Sequence, residues 1–169
     1  VTDAVLVRAP VGLVYRTLTD LDRWPAWLEG CRSQRREHVP GDSTRSATQD
    51  GPREHHLLVL PGARRPLRPS LRLEVAVSRW RHDAGVHWEV RWQQHGGGGA
   101  DTEWWLEERR EGTVVHHLVR HVVREVVGGP TGGREARAAL RYRSSVVLAL
   151  QAMKDRLELA VALAAGRVP

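Results

Sequence analysis

Apolar residues along this chain change their spacing once. Between Thr2 and about Val126 they recur mainly at alternate positions, as in Leu71, Leu73, Val75 and Val77 or Val86, Trp88, Val90 and Trp92. That is the period of strands with one buried face. From Arg134 to Gly166 the spacing becomes helical, with no proline and no internal glycine; a helix of that length would span roughly 45 Å. Ala139, Leu140, Val147, Leu150, Leu157 and Val161 form its expected apolar stripe, with Gly133 and Gly166 punctuating the ends. Arg143 breaks the stripe a turn before Val147.

Taken in order, Thr2–Arg8 alternates around Val5 and Val7 and reads as a strand. Pro10 suits the first turn of a helix, and Val11, Val14, Tyr15 and Leu18 give Pro10–Thr19 one apolar face. Asp20 is placed to cap a second helical piece, Leu21–Leu28, which Pro25 begins or kinks. Strands are then expected at Cys31–Val39, Arg45–Thr48, Glu54–Leu60, Ser70–His82, Gly85–Gln93, Asp101–Arg109 and Val114–Val126. Turns separate them at Pro40-Gly41-Asp42, Asp50-Gly51-Pro52, Asp83-Ala84-Gly85, Gly96–Gly99 and Glu111-Gly112. Pro61–Pro69 reads as a proline-arginine loop, and Gly128–Gly133 as a hinge into the long helix. The pattern predicts an α+β domain over residues 1–169: a curved antiparallel sheet of about seven strands, two short helices after the first strand, and a long terminal helix across one face. A curved sheet and a straight helix diverge, so a cavity between them is expected.

Hydrophobic residues make up 41% and charged residues 27% of the 169, the balance of an ordinary soluble globular domain. No run approaches the ~20 apolar residues of a membrane span, and VTDAVLVRAP does not read as a signal peptide. Cys31 is the single cysteine, which excludes an internal disulfide framework; a cytoplasmic location is the expectation. The net charge of +6 is carried by arginine, with Lys154 the only lysine. Arginine beside tryptophan (Arg79-Trp80-Arg81, Arg91-Trp92) suits phosphate contact and base stacking. Zinc-finger, helix-turn-helix and RNA-recognition patterns are all missing, so nucleic acid is disfavoured.

The nine histidines do not assemble into metal-ligand spacing. His55-His56 and His116-His117 point to opposite strand faces, and His117 and His121 would stand ~13 Å apart. No metal is expected, and exposed sheet histidines are the plain reading. The Gly96–Gly99 run lacks the lysine and hydroxyl residue of a phosphate cradle, so no cofactor is expected. Without a G-x-S-x-G elbow, Cys31 reads as buried packing rather than a nucleophile. Trp104 and Leu106 share a strand face and serve either as core or as ligand contacts. His117 falls in line with Val115 and Val119. It is either a structural histidine or a ligand donor and general acid/base. Arg143 has three available fates: reaching the rim, pairing with a carboxylate such as Glu74 or Glu108, or facing a cavity beside Val147 and anchoring an anion.

Three segments carry a resemblance. The opening A-P-x-x-x-V-Y-x-x-L-T-D-L-D-x-W-P spans Ala9–Pro25. Trp104-Trp105-Leu106-Glu107 is followed by Gly112-Thr113, and L-x-A-x-K-D-x-L-E runs from Leu150 to Glu158, with Met153 in a usual leucine position. In this order they resemble the START-like, SRPBCC helix-grip superfamily, and within it the polyketide cyclase/dehydrase-type proteins of actinobacteria. The resemblance implies a seven-stranded sheet gripping the terminal helix around a hydrophobic cavity. It also implies an apolar ligand of polyketide or lipid kind, and a cyclase or dehydratase activity or, alternatively, a non-catalytic carrier or sensor. By position Trp24 matches a cavity tryptophan of those cyclases. Cys31 falls where they carry a tyrosine and Trp80 where they carry an arginine, so the chain departs from their pattern at two places. An acyl carrier protein delivering a tethered chain would meet Arg64, Arg65 and Arg68 of the proline-arginine loop.

Overall fold

The computed structural model describes residues 2–36, 54–60, 71–79, 86–92, 99–122 and 132–166. Along them run β1 (Thr2–Val7), α1 (Val11–Thr19), a 3-10 segment (Leu21–Ala26), β2 (Arg32–Arg36), β3 (Glu54–Leu60), β4 (Leu71–Arg79), β5 (Val86–Trp92), β6 (Gly99–Arg109), β7 (Gly112–Val122) and α2 (Gly132–Ala164). The strands form one antiparallel sheet in the order β1-β7-β6-β5-β4-β3-β2. β2 to β7 are laid down side by side, and only β1 crosses to the far edge, beside β7. The α+β layout, antiparallel sheet and terminal helix are those the sequence predicts. The expected strand Arg45–Thr48, Pro61–Pro69 with its three arginines, Trp80, Gly128–Thr131 and most of the turns lie outside the described residues.

One corner shows why particular residues are needed. β7 begins against the bend between β1 and α1, so closely that a Cβ on Gly112 would lie 2.2 Å from the Val7 carbonyl oxygen. The φ of Gly112 is +146°, a conformation that also favours glycine. Thr113, next in line and fully buried, donates its hydroxyl to the Ala9 carbonyl at 2.8 Å. The A-P and G-T pairs are thus the two sides of one junction. Pro10 stands at the N-cap of α1 in extended geometry, where its missing amide costs nothing. Asp20 provides no side-chain cap for the 3-10 segment; its carboxylate pairs with Arg23 Nε at 3.1 Å instead. Pro25 lies inside that segment, and its neighbour Trp24 is buried, donating Nε1 to the Leu18 carbonyl at 3.3 Å.

α2 meets the sheet along a different line from the expected stripe. Tyr142, Ser145, Val146, Ala149, Leu150, Met153 and Leu157 are buried, whereas Leu140 is 64% and Val147 44% exposed. Leu150 and Leu157 belong to both sets. The helix presents its aromatic Tyr142 and its small Ser145 and Ala149 to the sheet, where small side chains permit close approach. The opposing sheet face supplies Leu58, Leu60, Leu73, Val75, Trp104, Leu106, Val115 and Val119 to the same buried cluster.

A candidate ligand site on the inner sheet face

Register brings the polar members of this face together. Asp3 stands opposite His117, and His117 opposite Trp104, so in an antiparallel ladder these side chains share one face. The rings of Trp104 and His117 lie 4.3 Å apart, and those of His117 and Tyr142 6.0 Å apart. Tyr142 donates to Thr102 Oγ1 at 3.5 Å. Thr102, His117 and Tyr142 are all buried and form a polar patch between β6, β7 and α2, with Ser145 buried one turn further along the helix.

His117 is the unusual member. It is 0% exposed, and among the described residues neither ring nitrogen has a hydrogen-bond partner. Burial pushes its pKa down to about 4, against a smaller upward pull from the Asp3 carboxylate. The imidazole is therefore neutral at ordinary pH, with one donor and one acceptor left over. Burial also raises the Tyr142 phenol, so this patch offers uncharged hydrogen-bonding groups. His117 is inward as its alignment with Val115 and Val119 predicts, whereas the expectation of exposed sheet histidines is corrected at His56, which is buried, with Asp22 and Glu54 carboxylates 3.5 and 3.7 Å from its ring nitrogens.

The other expected site residues separate into three groups. Trp104 and Leu106 lie on the inner face. Trp24, within the 3-10 segment, and Cys31, shortly after it, are buried, and Trp24 packs on Trp27 at 5.2 Å. Desolvation pushes the Cys31 thiol up to about 11, so it is a protonated packing group rather than a thiolate. Arg143 and Val147 do not face the interior, and this part of the expectation is corrected. Arg143 is solvent-exposed and grips Asp3 through both carboxylate oxygens, Nε to Oδ2 at 3.1 Å and Nη2 to Oδ1 at 2.8 Å. That hydrogen bonding holds Asp3 below the usual carboxylate range. Neither expected partner takes Arg143: Glu74 pairs with Arg36 at 3.2 Å, and Glu108 is exposed.

Tyr142, Thr102 and Ser145 escaped the sequence reading, although signals for the first two were present. Tyr142 heads the series completed by Val146, Ala149, Met153 and Leu157, and Thr102 is two residues before Trp104 on one strand. Among the described residues no group of three or more His, Cys, Asp or Glu could hold a metal ion.

α2 also covers the free edge of β1. Lys154 donates to the Leu6 carbonyl at 2.9 Å, and Glu158 accepts the Arg8 amide at 2.9 Å; Lys154 and Glu158 pair with each other. The K-D-x-L-E segment thus supplies the donor and acceptor that an edge strand otherwise leaves open.

A long helix packed across a seven-stranded antiparallel sheet, with two short helical pieces after the first strand, is a fold the chain shares with solved structures. Solved structures with this fold include aromatase/cyclases. The chain is similar to the di-domain ARO/CYC StfQ from the steffimycin biosynthetic pathway, with TM-score 0.67 and 17% identity over 96% of this chain and 52% of that one. It matches the Zhui aromatase/cyclase from a Streptomyces species with TM-score 0.62 and 16% identity over 95% of this chain and 94% of that one. A START superfamily protein from Mycobacterium smegmatis matches with TM-score 0.55 and 16% identity, over 95% and 97% of the two chains. The chain spans about half the length of the di-domain proteins it matches. No family model and no curated protein matches this sequence. Among the described residues no helix is long and apolar enough to cross a membrane.

Proposed function

We propose that this chain binds an apolar small molecule of polyketide or lipid kind between the sheet and α2, with an oxygen of that molecule seated at His117. The observation that carries this reading is the buried imidazole with no hydrogen-bond partner among the described residues. An unmet donor and acceptor inside an apolar interior are costly, and a ligand carbonyl or hydroxyl would satisfy them. Tyr142, Thr102 and Trp104 would line the same end, and Leu106 would add apolar contact. Similarity to aromatase/cyclase folds supports a polyketide-like ligand by analogy of fold.

In a catalytic form of this reading His117 moves a proton during cyclisation or dehydration of a bound polyketone, and a carrier-bound substrate would bring an acyl carrier protein as partner. The second reading, a carrier or sensor, is favoured by one particular observation. An imidazole whose pKa has been pushed to about 4 is a weak base at neutral pH. Acetylnaphthol, a neutral aromatic ketone, tests both through quenching of tryptophan emission. His117→Leu should weaken its binding at least about tenfold, the worth of one good buried hydrogen bond. Unchanged affinity in a folded His117→Leu variant would remove His117 from the site. Turnover of a polyketone thioester that is lost in the same variant would select the catalytic form.

A further inference from the structure

α2 is fastened to the β1 edge by ties of two kinds. In its C-terminal half Lys154 bonds to the Leu6 carbonyl of β1 and Glu158 to the Arg8 amide just beyond it. Nearer its N-terminal end the described tie joins two side chains, the Arg143 guanidinium and the Asp3 carboxylate. That tie can open by side-chain rotation alone, with no backbone hydrogen bond broken. A helix advances about 100° per residue, which places Leu140, Arg143, Val147, Lys154 and Glu158 within roughly 60° of one another. The flank that meets β1 therefore also carries Leu140 and Val147, both exposed large apolar residues. Directly behind the ion pair, Asp3 is in register with His117, which is fully shielded from solvent.

We propose that the seam between β1 and the N-terminal half of α2 is the ligand's entry portal, latched by the Asp3–Arg143 pair and rimmed by Leu140 and Val147. This rests on the reading that an apolar molecule binds at the inner face. The exposed rim gives such a molecule a first apolar contact, and the latch keeps water from His117 until it opens. Because the pair is exposed, with side-chain accessibilities of 45% for Arg143 and 18% for Asp3, it is a weak, salt-sensitive closure. Lys154 and Glu158 keep the remainder of the helix in place while the latch is open.

N-phenylnaphthylamine, a neutral fluorophore that brightens in apolar surroundings, tests the portal by stopped flow. In Asp3→Asn both association and dissociation should quicken, roughly two- to fivefold, with nearly unchanged affinity, because removing a latch lowers one barrier for both directions. Salt at about 0.5 M should accelerate the wild type toward the variant and leave the variant unaffected. Glu158→Gln removes the charge of a different tie, the one at the end of β1, and should change neither rate. If Asp3→Asn does not fold, Arg143→Met carries the same expectation. Normal affinity with unchanged rates in the latch variants would overturn the portal alone, as would equal acceleration by Glu158→Gln. Failure of the wild type to bind the probe at all would overturn the inner-face site and the portal together.

Discussion

His117 ties stability to pH with a definite sign. Its folded pKa is about 4 against an ordinary value of 6.5, so between these values the unfolded chain binds the proton and the folded protein does not. Stability from this group is complete above pH ~6.5 and is lost as pH falls toward ~4, by roughly 3 kcal/mol in all. Asp3 and Glu158, whose pKa values are lowered, lose stability in the same direction at lower pH. Urea titrations of wild type and His117→Leu between pH 4.5 and 7.5 should show a steep slope in the first and a flatter one in the second. Equal slopes would mean that His117 is not a buried neutral imidazole. Gly112 makes a separate demand. Gly112→Ala should cost more than about 3 kcal/mol, because the methyl group meets backbone that cannot yield. Thr113→Val should cost about 1 to 2 kcal/mol for the lost hydrogen bond to Ala9. Much at this scale was readable: His117 stands in an alternating strand, and the G-T pair in a quoted segment. The Arg143 partner was not, since Asp3 lies 140 positions away, and no local spacing marks a contact made by crossing the sheet.

For single elements, period was easier to read than phase. Strand bounds follow the alternation closely because one buried face forces a two-residue repeat. A helix offers a graded choice of face, and α2 carries aliphatic residues around much of its circumference. The sheet selects the face with Tyr142 and the small residues, leaving Leu140 and Val147 outside. Met153→Ala should therefore cost about 2 to 5 kcal/mol as a cavity mutation, while Val147→Ala should stay within about 0.5 kcal/mol. Chemical denaturation of the two variants distinguishes the faces, and the reverse order of costs would restore the sequence-based stripe. The edge contacts of Lys154 and Glu158 explain why charge is retained on a helix flank that lies against a strand.

Across the whole molecule, the N-terminal strand, the last strand and the terminal helix converge on one place. β1 pairs with β7, α2 is tied to β1, and the polar patch lies beneath that junction. The order of elements was legible because the change from strand period to helix period occurs once and late. The location of the patch was not, because it depends on the register that sets Asp3, His117 and Trp104 in one row. That register also provides an internal control. His117 faces inward, whereas its neighbour His116 lies on the other face, stacked on Trp105 at 4.8 Å and bonded to Glu107 at 3.2 Å. Ring-nitrogen chemical shifts of labelled histidines, recorded while acetylnaphthol is added, report both positions in one experiment. Binding between sheet and helix predicts that the His117 nitrogens move while those of His116 stay fixed. Movement of His116 with His117 unchanged would place the ligand on the outer face and contradict the inner-face site.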